Sequence, residues 1–240
     1  AKSGYGAYVL ETGEQLWYSP LTVDVNFGDP VGEGWGSYPS PQVYGNLLIL
    51  LLNGHALTAL DRRDGAVVWE QPLEVTHYYA APALADDLIV SGGSYGHLAV
   101  LRAETGEVVW HEPVLDTQYP TNFLVEGQRL YTSTNQGSVR CLDLESGRVD
   151  WDFQSGEDLL DMNPFRRGVR TVLARPVRYR GMLVVCGVDG VLYLLDADMG
   201  SVIDRTQFPA PITAAPATFD DGLCVATWDG RLYRFQDPEP

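Results

Sequence analysis

One sequence pattern recurs along this 240-residue chain. It consists of a glycine, a short apolar segment ending in leucine, an acidic turn closed by a second glycine, and a tryptophan four residues later. The turn glycines Gly65, Gly106 and Gly147 are spaced 41 residues apart. A fixed period of this length is typical of repeat proteins, in which each unit buries its apolar face against its neighbours. The spacing therefore predicts a repeat architecture.

The sequence pattern of each repeat unit predicts four short strands, which we name A, B, C and D in chain order. Strand A begins near a proline, B is an apolar run, C is the segment ending in leucine, and D carries the tryptophan. Short segments separated by Gly, Asn and Asp turns indicate an antiparallel hairpin meander. Complete units are predicted over residues 38–72, 79–113, 118–153 and 172–206.

The two ends of the chain look complementary. Residues 212–236 supply strands A, B and C without D, whereas residues 13–18 supply a D strand without A or B. Pairing of these segments would remove two exposed strand edges. We therefore expect residues 1–240 to form a single all-β domain, a five-bladed β-propeller of four-stranded antiparallel blades closed by its terminal strands. Residues 7–10 look like a further C strand, so six or more blades is the alternative.

Composition excludes several classes of partner. The chain has 32 acidic and 16 basic residues, a formal charge of −16 that disfavours nucleic acids and anionic membrane surfaces. The longest apolar run, residues 47–52, is far shorter than the roughly 20 residues that a membrane helix needs, so no direct membrane insertion is expected within this chain. Three scattered cysteines indicate neither a disulfide framework nor a metal site.

The phrase Leu-Asp-x-x-Ser-Gly-x-x-x-Trp at residues 142–151 resembles the repeat of pyrroloquinoline-quinone-type β-propellers. It is partly kept at residues 101–110 and 60–69. In that family the tryptophan wedges between blades, so the resemblance implies a structural docking role for Trp17, Trp69, Trp110 and Trp151. Asp204 occupies the tryptophan position of the fourth complete unit, and we expect that blade junction to be packed differently.

The resemblance does not imply an enzyme. Family dehydrogenases combine a stacking tryptophan, a calcium site, a catalytic aspartate and often a vicinal cysteine pair, and none of these maps onto this sequence. We therefore predict no catalytic residue, no metal site and no cofactor, with pyrroloquinoline quinone as the alternative. Other family members are scaffolds or sensors, such as an outer-membrane assembly lipoprotein and the extracytoplasmic domains of bacterial receptor kinases. The resemblance alone favours an extracytoplasmic or periplasmic location.

The connections from a D strand to the next A strand differ in length. Counted from tryptophan to the following proline, two of them span 13 and 10 residues, and the other two span 24 and 25. In an up-and-down blade the D–A and B–C connections lie on the same face. The long segments 22–40 and 154–174 are therefore predicted to project from one face, and long insertions in a compact repeat are where function concentrates.

The first long segment carries exposed aromatic candidates on a glycine-rich frame: Phe27, Trp35 and Tyr38. Aromatic rings of this kind suit recognition of a protein or a small ligand, including a sugar or peptide. The alternative is that the rings fold back and fill the funnel of the propeller.

The second long segment carries an acidic half followed by arginines. The candidates for binding a carboxylate or phosphate group of a partner are Arg166, Arg167, Arg170 and Arg178. Arginine offers bidentate hydrogen bonds to such groups. The alternative is that these arginines form internal salt bridges with the acidic half and with neighbouring blades.

His55 and His97 occupy equivalent repeat positions, and His77 lies in the connection between them. With Asp189 or Asp229 these histidines offer zinc ligands, but repeat geometry usually places equivalent side chains a full blade apart. We expect solvated or turn-capping histidines. The sequence as a whole predicts a non-catalytic module that binds a protein or small ligand, either a receptor-kinase sensor domain or an envelope-assembly scaffold. The alternative is a quinone-binding protein or small oxidoreductase.

Overall fold

A computed structural model describes residues 4–20, 40–52, 56–73, 80–116, 120–160 and 168–236. These residues form 21 β-strands and one short 3-10 helix, Ser94–Gly96. The strands make six antiparallel sheets, each built from strands that are consecutive in the chain. We number these sheets 1 to 6 in chain order. The all-β class and the four-stranded antiparallel sheets predicted from the repeat are confirmed.

Four of the sheets have four strands each. Sheet 2 contains β3 (Gln42–Tyr44), β4 (Leu47–Leu52), β5 (Ala56–Asp61) and β6 (Val67–Pro72). Sheet 3 contains β7 (Ala83–Ala85), β8 (Leu88–Gly92), β9 (Leu98–Arg102) and β10 (Val108–Glu112). Sheet 4 contains β11 (Pro120–Glu126), β12 (Arg129–Thr134), β13 (Ser138–Asp143) and β14 (Val149–Gln154). Sheet 5 contains β15 (Val177–Tyr179), β16 (Met182–Cys186), β17 (Val191–Asp196) and β18 (Val202–Gln207).

The two terminal sheets have fewer strands. Sheet 1 contains β1 (Gly4–Tyr8) and β2 (Gln15–Pro20), and sheet 6 contains β19 (Ala217–Phe219), β20 (Gly222–Ala226) and β21 (Leu232–Gln236).

The expected ring closure depends on how the terminal strands pair. The segment 13–18 was predicted to complete the sheet at 212–236; in the structure β2 pairs with β1, with Ala7 opposite Trp17. Among the described strand pairs, none joins sheet 1 to sheet 6. Closure between the termini is therefore absent from the described pairs, and the number of blades stays a prediction.

The acidic turn between the third and fourth strands explains the repeated motif. In sheet 4, the Asp143 carboxylate accepts hydrogen bonds from the Ser146 hydroxyl at 2.6 Å and from the Ser146 backbone N–H at 2.8 Å. These bonds, chiefly the one from the hydroxyl, hold the pKa of Asp143 below its ordinary value. Gly147 closes the turn with a φ of +71°, a conformation that favours glycine. The glycine therefore recurs because it closes this turn, whereas the residue before it differs between sheets, as Asp64, Thr105 and Ser146 show.

The hydrophobic core lies between consecutive sheets. Successive strand residues point to opposite faces, so each complete sheet packs on one neighbour in each direction. Val139 and Cys141 of sheet 4, for example, pack with Val185 and Tyr193 of sheet 5. Burial raises the pKa of the Cys141 thiol to about 11, which keeps this side chain neutral. Sheets stacked face to face in this way form a β-propeller.

Candidate interaction face

Four tryptophans connect consecutive sheets at their outer strands. Each indole N–H donates a hydrogen bond to the backbone carbonyl three residues before the turn glycine of the next sheet. The bonds run from Trp17 to Arg62 at 2.8 Å, from Trp69 to Ala103 at 3.2 Å, from Trp110 to Leu144 at 2.8 Å and from Trp151 to Ala197 at 3.1 Å. Repetition of one geometry at four junctions indicates a structural contact.

The turn glycine of the next sheet leaves space for the tryptophan ring. A Cβ atom added to Gly106 would lie 2.6 Å from a ring carbon of Trp69, and the φ of Gly106 is +75°. Any larger residue would therefore meet both a strained backbone and a steric clash. The indole and the glycine form a matched pair, and this pair holds neighbouring sheets together at their periphery.

The junction between sheets 5 and 6 lacks this contact. Asp204 occupies the tryptophan position of β18. It is exposed, and it lies opposite Leu194 of the neighbouring strand β17. Phe208, just after β18, is buried and packs edge-on against Tyr233 and Phe235, with ring centroids 4.8 and 6.0 Å apart. An aromatic cluster thus fills this junction.

Strand order defines a common face for several connections. The segment 155–176 leads from the outermost strand of sheet 4 to the innermost strand of sheet 5. The described residues of this segment, 155–160 and 168–176, lie at the same end of the strands as the turns 93–97, 187–190 and 227–231, which join the second and third strands of their sheets. We call this end of the molecule the loop face.

Hydrogen bonds join the described residues 155–160 and 168–176 to one another and to sheet 5. Asp158 donates its N–H to the Val169 carbonyl at 2.8 Å and accepts from the Thr171 hydroxyl at 2.7 Å. The Val188 N–H donates to the Thr171 carbonyl, and the Leu159 N–H donates to the Val188 carbonyl. The described parts of this long connection are therefore ordered by the sheet beneath them.

A buried aspartate anchors the start of the same connection. Asp189, in the turn of sheet 5, accepts hydrogen bonds from the Gly156 N–H at 2.8 Å and from the Tyr193 hydroxyl. Burial, and next the bond to Asp189, raise the pKa of Tyr193 to about 12, so the phenol stays protonated. This network is internal to the fold, and it positions the connection without presenting a reactive group.

Three leucines of the fastened connection remain exposed on the loop face. Leu159, Leu160 and Leu173 are 46%, 43% and 40% exposed. Tyr95 and Trp228, which occupy second-to-third-strand turns of sheets 3 and 6, are also exposed. None of these five residues was predicted as a partner contact, because an apolar residue in a loop carries no sequence signal that separates a buried side chain from an exposed one.

The two described arginine candidates make internal contacts. Arg170 donates from its guanidinium to the Ser155 carbonyl at 2.5 Å, within the connection itself. Arg178 lies in the innermost strand of sheet 5 and pairs with Glu126 of sheet 4 at 2.9 Å. The structure therefore does not bring these two arginines together, and both contacts correspond to the internal alternative stated above.

The other predicted partner-binding residues lie outside the described residues. These are Phe27, Trp35 and Tyr38 in the first long segment, and Arg166 and Arg167 in the second. Their membership of the loop face stays a prediction.

The described ranges contain no group of three or more His, Cys, Asp or Glu side chains placed to hold a metal ion. No helix in those ranges has the length and hydropathy needed to cross a bilayer.

The stacked sheets and the repeated tryptophan–glycine contacts define a β-propeller built from pyrroloquinoline-quinone-type repeats. The family model described as outer membrane protein assembly factor BamB matches residues 2–157 and 135–238. The chain belongs to this family. A search of curated proteins found no match.

Solved structures share this fold at low sequence identity. BamB from Moraxella catarrhalis is 19% identical with a TM-score of 0.68, and the match covers 85% of this chain and 59% of that one. The computationally designed Ika8 protein is 14% identical with a TM-score of 0.67, covering 94% and 63%. Quinohemoprotein alcohol dehydrogenase from Comamonas testosteroni is 16% identical with a TM-score of 0.62, covering 88% and 41%. This chain thus spans less than two thirds of each of these proteins.

Proposed function

We propose that this chain is a non-catalytic scaffold module that binds a protein partner through its loop face during assembly of the bacterial envelope. Membership of a family described as an outer membrane protein assembly factor supports the envelope context. The two long connections predicted on one face support the position of the binding surface. The match covers 59% of the BamB structure, so the scaffold role and the partner are proposed for this chain and are not taken over from that protein.

The observation that carries the proposal is that apolar side chains are exposed on the hydrogen-bonded, described parts of the connection. Leu159, Leu160 and Leu173 are solvent-exposed, although the backbone around them is hydrogen-bonded to sheet 5. A surface that is already ordered loses little conformational entropy when a partner binds. Burial of each leucine would contribute about 1.5–3 kcal/mol of apolar transfer free energy at most. These leucines therefore suit a protein partner with an apolar contact surface.

The arginine and aromatic candidates have separate roles in this proposal. Arg170 keeps the connection in place through the Ser155 carbonyl, and Arg178 ties sheet 5 to sheet 4 through Glu126. Phe27, Trp35 and Tyr38 with Arg166 and Arg167 are proposed as further contacts at the rim of the leucine surface.

The test compares two double variants with the same chemical change. Leu160→Glu with Leu173→Glu alters the loop face, whereas Val202→Glu with Ile203→Glu alters exposed apolar positions on β18. Tagged versions of the full protein would be crosslinked in their own cells, and captured envelope proteins would be quantified by mass spectrometry. The strongest captured protein would then be purified, and its affinity for each variant measured by calorimetry.

We expect the loop-face variant to lose at least tenfold in affinity, about 1.4 kcal/mol, for that partner, and the β18 variant to bind like the wild type. Equal binding by both variants would reject the loop face as the binding surface.

The quinone alternative has support from the fold alone. The alcohol dehydrogenase resembles this chain at 16% identity, a level that shares architecture without sharing a site. A titration with pyrroloquinoline quinone and Ca²⁺, followed by absorbance, tests it directly. A saturable spectral change at a one-to-one ratio would replace the scaffold proposal.

A further inference from the structure

Two histidines of sheet 3 lie side by side near the loop face. His97 immediately precedes β9, and His111 lies in β10. Their Nδ1 and Nε2 atoms are 3.3 Å apart, with ring centroids separated by 5.0 Å and ring planes inclined by 66°. Both rings are half-buried, so they retain access to solvent.

A small cross-strand neighbour gives these rings their space. His111 is paired across the strands with Ala99, which is fully buried. The equivalent pair in sheet 4 is Arg140 with Asp152, whose side chains form an ion pair at 3.2 Å. Because the methyl group of Ala99 fills little of this position, the imidazole of His111 can approach His97.

We propose that His97 and His111 chelate a divalent late transition-metal ion such as Zn²⁺, Ni²⁺ or Cu²⁺. Zinc binds imidazole nitrogen at about 2.0–2.1 Å in tetrahedral geometry, which places two ligand nitrogens about 3.3 Å apart. The observed separation of the two nitrogen atoms equals that value. The same separation also fits a hydrogen bond between neutral rings, so the metal ion and the shared proton compete for these nitrogens.

The ligand set determines which ions bind and how tightly. Imidazole suits Zn²⁺, Ni²⁺ and Cu²⁺, whereas Ca²⁺ and Mg²⁺ require oxygen ligands. No group of three or more His, Cys, Asp or Glu side chains forms among the described residues, so the two imidazoles are the protein ligands of the proposed site. The site is therefore open and exchangeable, and it should bind more weakly than a closed four-ligand site.

The experiment titrates the metal-free protein with Ni²⁺ and Zn²⁺ by calorimetry, and it records the imidazole NMR signals during addition of paramagnetic Ni²⁺. The variants are His97→Gln, His111→Gln and, as a control, His55→Gln. Gln is polar and similar in size, so these variants should keep the fold, and circular dichroism checks this.

We expect one-to-one binding of Ni²⁺ and Zn²⁺, selective broadening of the His97 and His111 signals, and no response to Mg²⁺ or Ca²⁺. Loss of one ligand should weaken binding at least tenfold, because removal of an outer-shell partner alone costs about 10–100-fold. The His55→Gln control should bind like the wild type. Binding that survives both His97→Gln and His111→Gln, or no binding to the wild type, would overturn the proposal.

Discussion

Two neighbouring junctions hold their sheets together by different contacts. Between sheets 4 and 5, Trp151 donates to the Ala197 carbonyl, and its ring lies over the turn glycine Gly200. Between sheets 5 and 6, Asp204 is exposed at the equivalent position, and the buried ring of Phe208 supplies the aromatic contact. The comparison shows that the repeat requires apolar contact between sheets, whereas the position of that contact along the junction varies.

The first junction also has additional polar contacts. Tyr131 donates its hydroxyl to the same Ala197 carbonyl at 3.4 Å, and its ring is tilted against Trp151 with centroids 5.9 Å apart. Arg129 donates to this carbonyl as well, at 3.3 Å, and forms an ion pair with Asp198. Polar and apolar contacts thus converge on one turn of sheet 5.

The largest effect is expected at the junction that lacks a tryptophan. Phe208→Ala removes a buried ring from contact with Tyr233 and Phe235, and it should lower the free energy of unfolding by about 3–5 kcal/mol. Urea denaturation followed by fluorescence measures this change. Phe208→Leu serves as the control and should retain most of the stability, because it preserves apolar volume. A loss below about 1 kcal/mol for Phe208→Ala would show that the aromatic cluster does not hold this junction.

A second comparison uses one repeat position in two sheets. Trp110→Ala removes a half-buried ring and its hydrogen bond to the Leu144 carbonyl, and we expect a loss of about 2–4 kcal/mol. Asp204→Ala changes the exposed residue at the equivalent position and should stay within about 0.5 kcal/mol of the wild type. Chemical denaturation of both variants tests the contrast, and similar losses would contradict the structural role assigned to the tryptophan.

Two turn glycines allow the cost of backbone strain to be measured separately from the cost of a clash with a tryptophan ring. Gly13 and Gly106 have φ values of +71° and +75°, but only Gly106 lies under a tryptophan ring. Gly13→Ala should therefore cost about 1 kcal/mol from backbone strain alone. Gly106→Ala should cost about 1–3 kcal/mol more, because its methyl group would displace Trp69. Thermal unfolding of the two variants under identical conditions measures the difference, and equal costs would rule out a steric contribution from the ring.

The smallest effect concerns alkaline pH. The pKa of Tyr193 is raised from 10 to about 12 in the folded protein, so the native state favours the protonated phenol. The folding stability linked to this raised pKa is fully present below pH 10 and is lost as the pH rises towards 12. Melting temperatures measured across this range should fall more steeply for the wild type than for Tyr193→Phe. Parallel curves for the two proteins would show that Tyr193 is not the responsible group.

The position of the candidate surface was easier to predict from the sequence than its composition. Connection lengths predicted two long segments on one face, since a meander fixes which end of a strand each connection joins; for the segment 22–40 this stays a prediction. Leu160 and Leu173 were not identified, because their exposure depends on how the connection folds back onto sheet 5. Arg178 was grouped with Arg170 by proximity in sequence, although the first lies within a strand and the second in the connection before it.

The sequence by itself determined the strands, their order within each sheet and the tryptophan–glycine repeat, because these depend on local turn chemistry and on alternation of apolar residues. Only the tertiary structure decided how the terminal strands pair, which leucines stay exposed and that His97 meets His111. These features depend on distances between segments that are far apart in sequence or on opposite strands. Such distances follow from the packing of whole sheets, and no short segment of sequence encodes them.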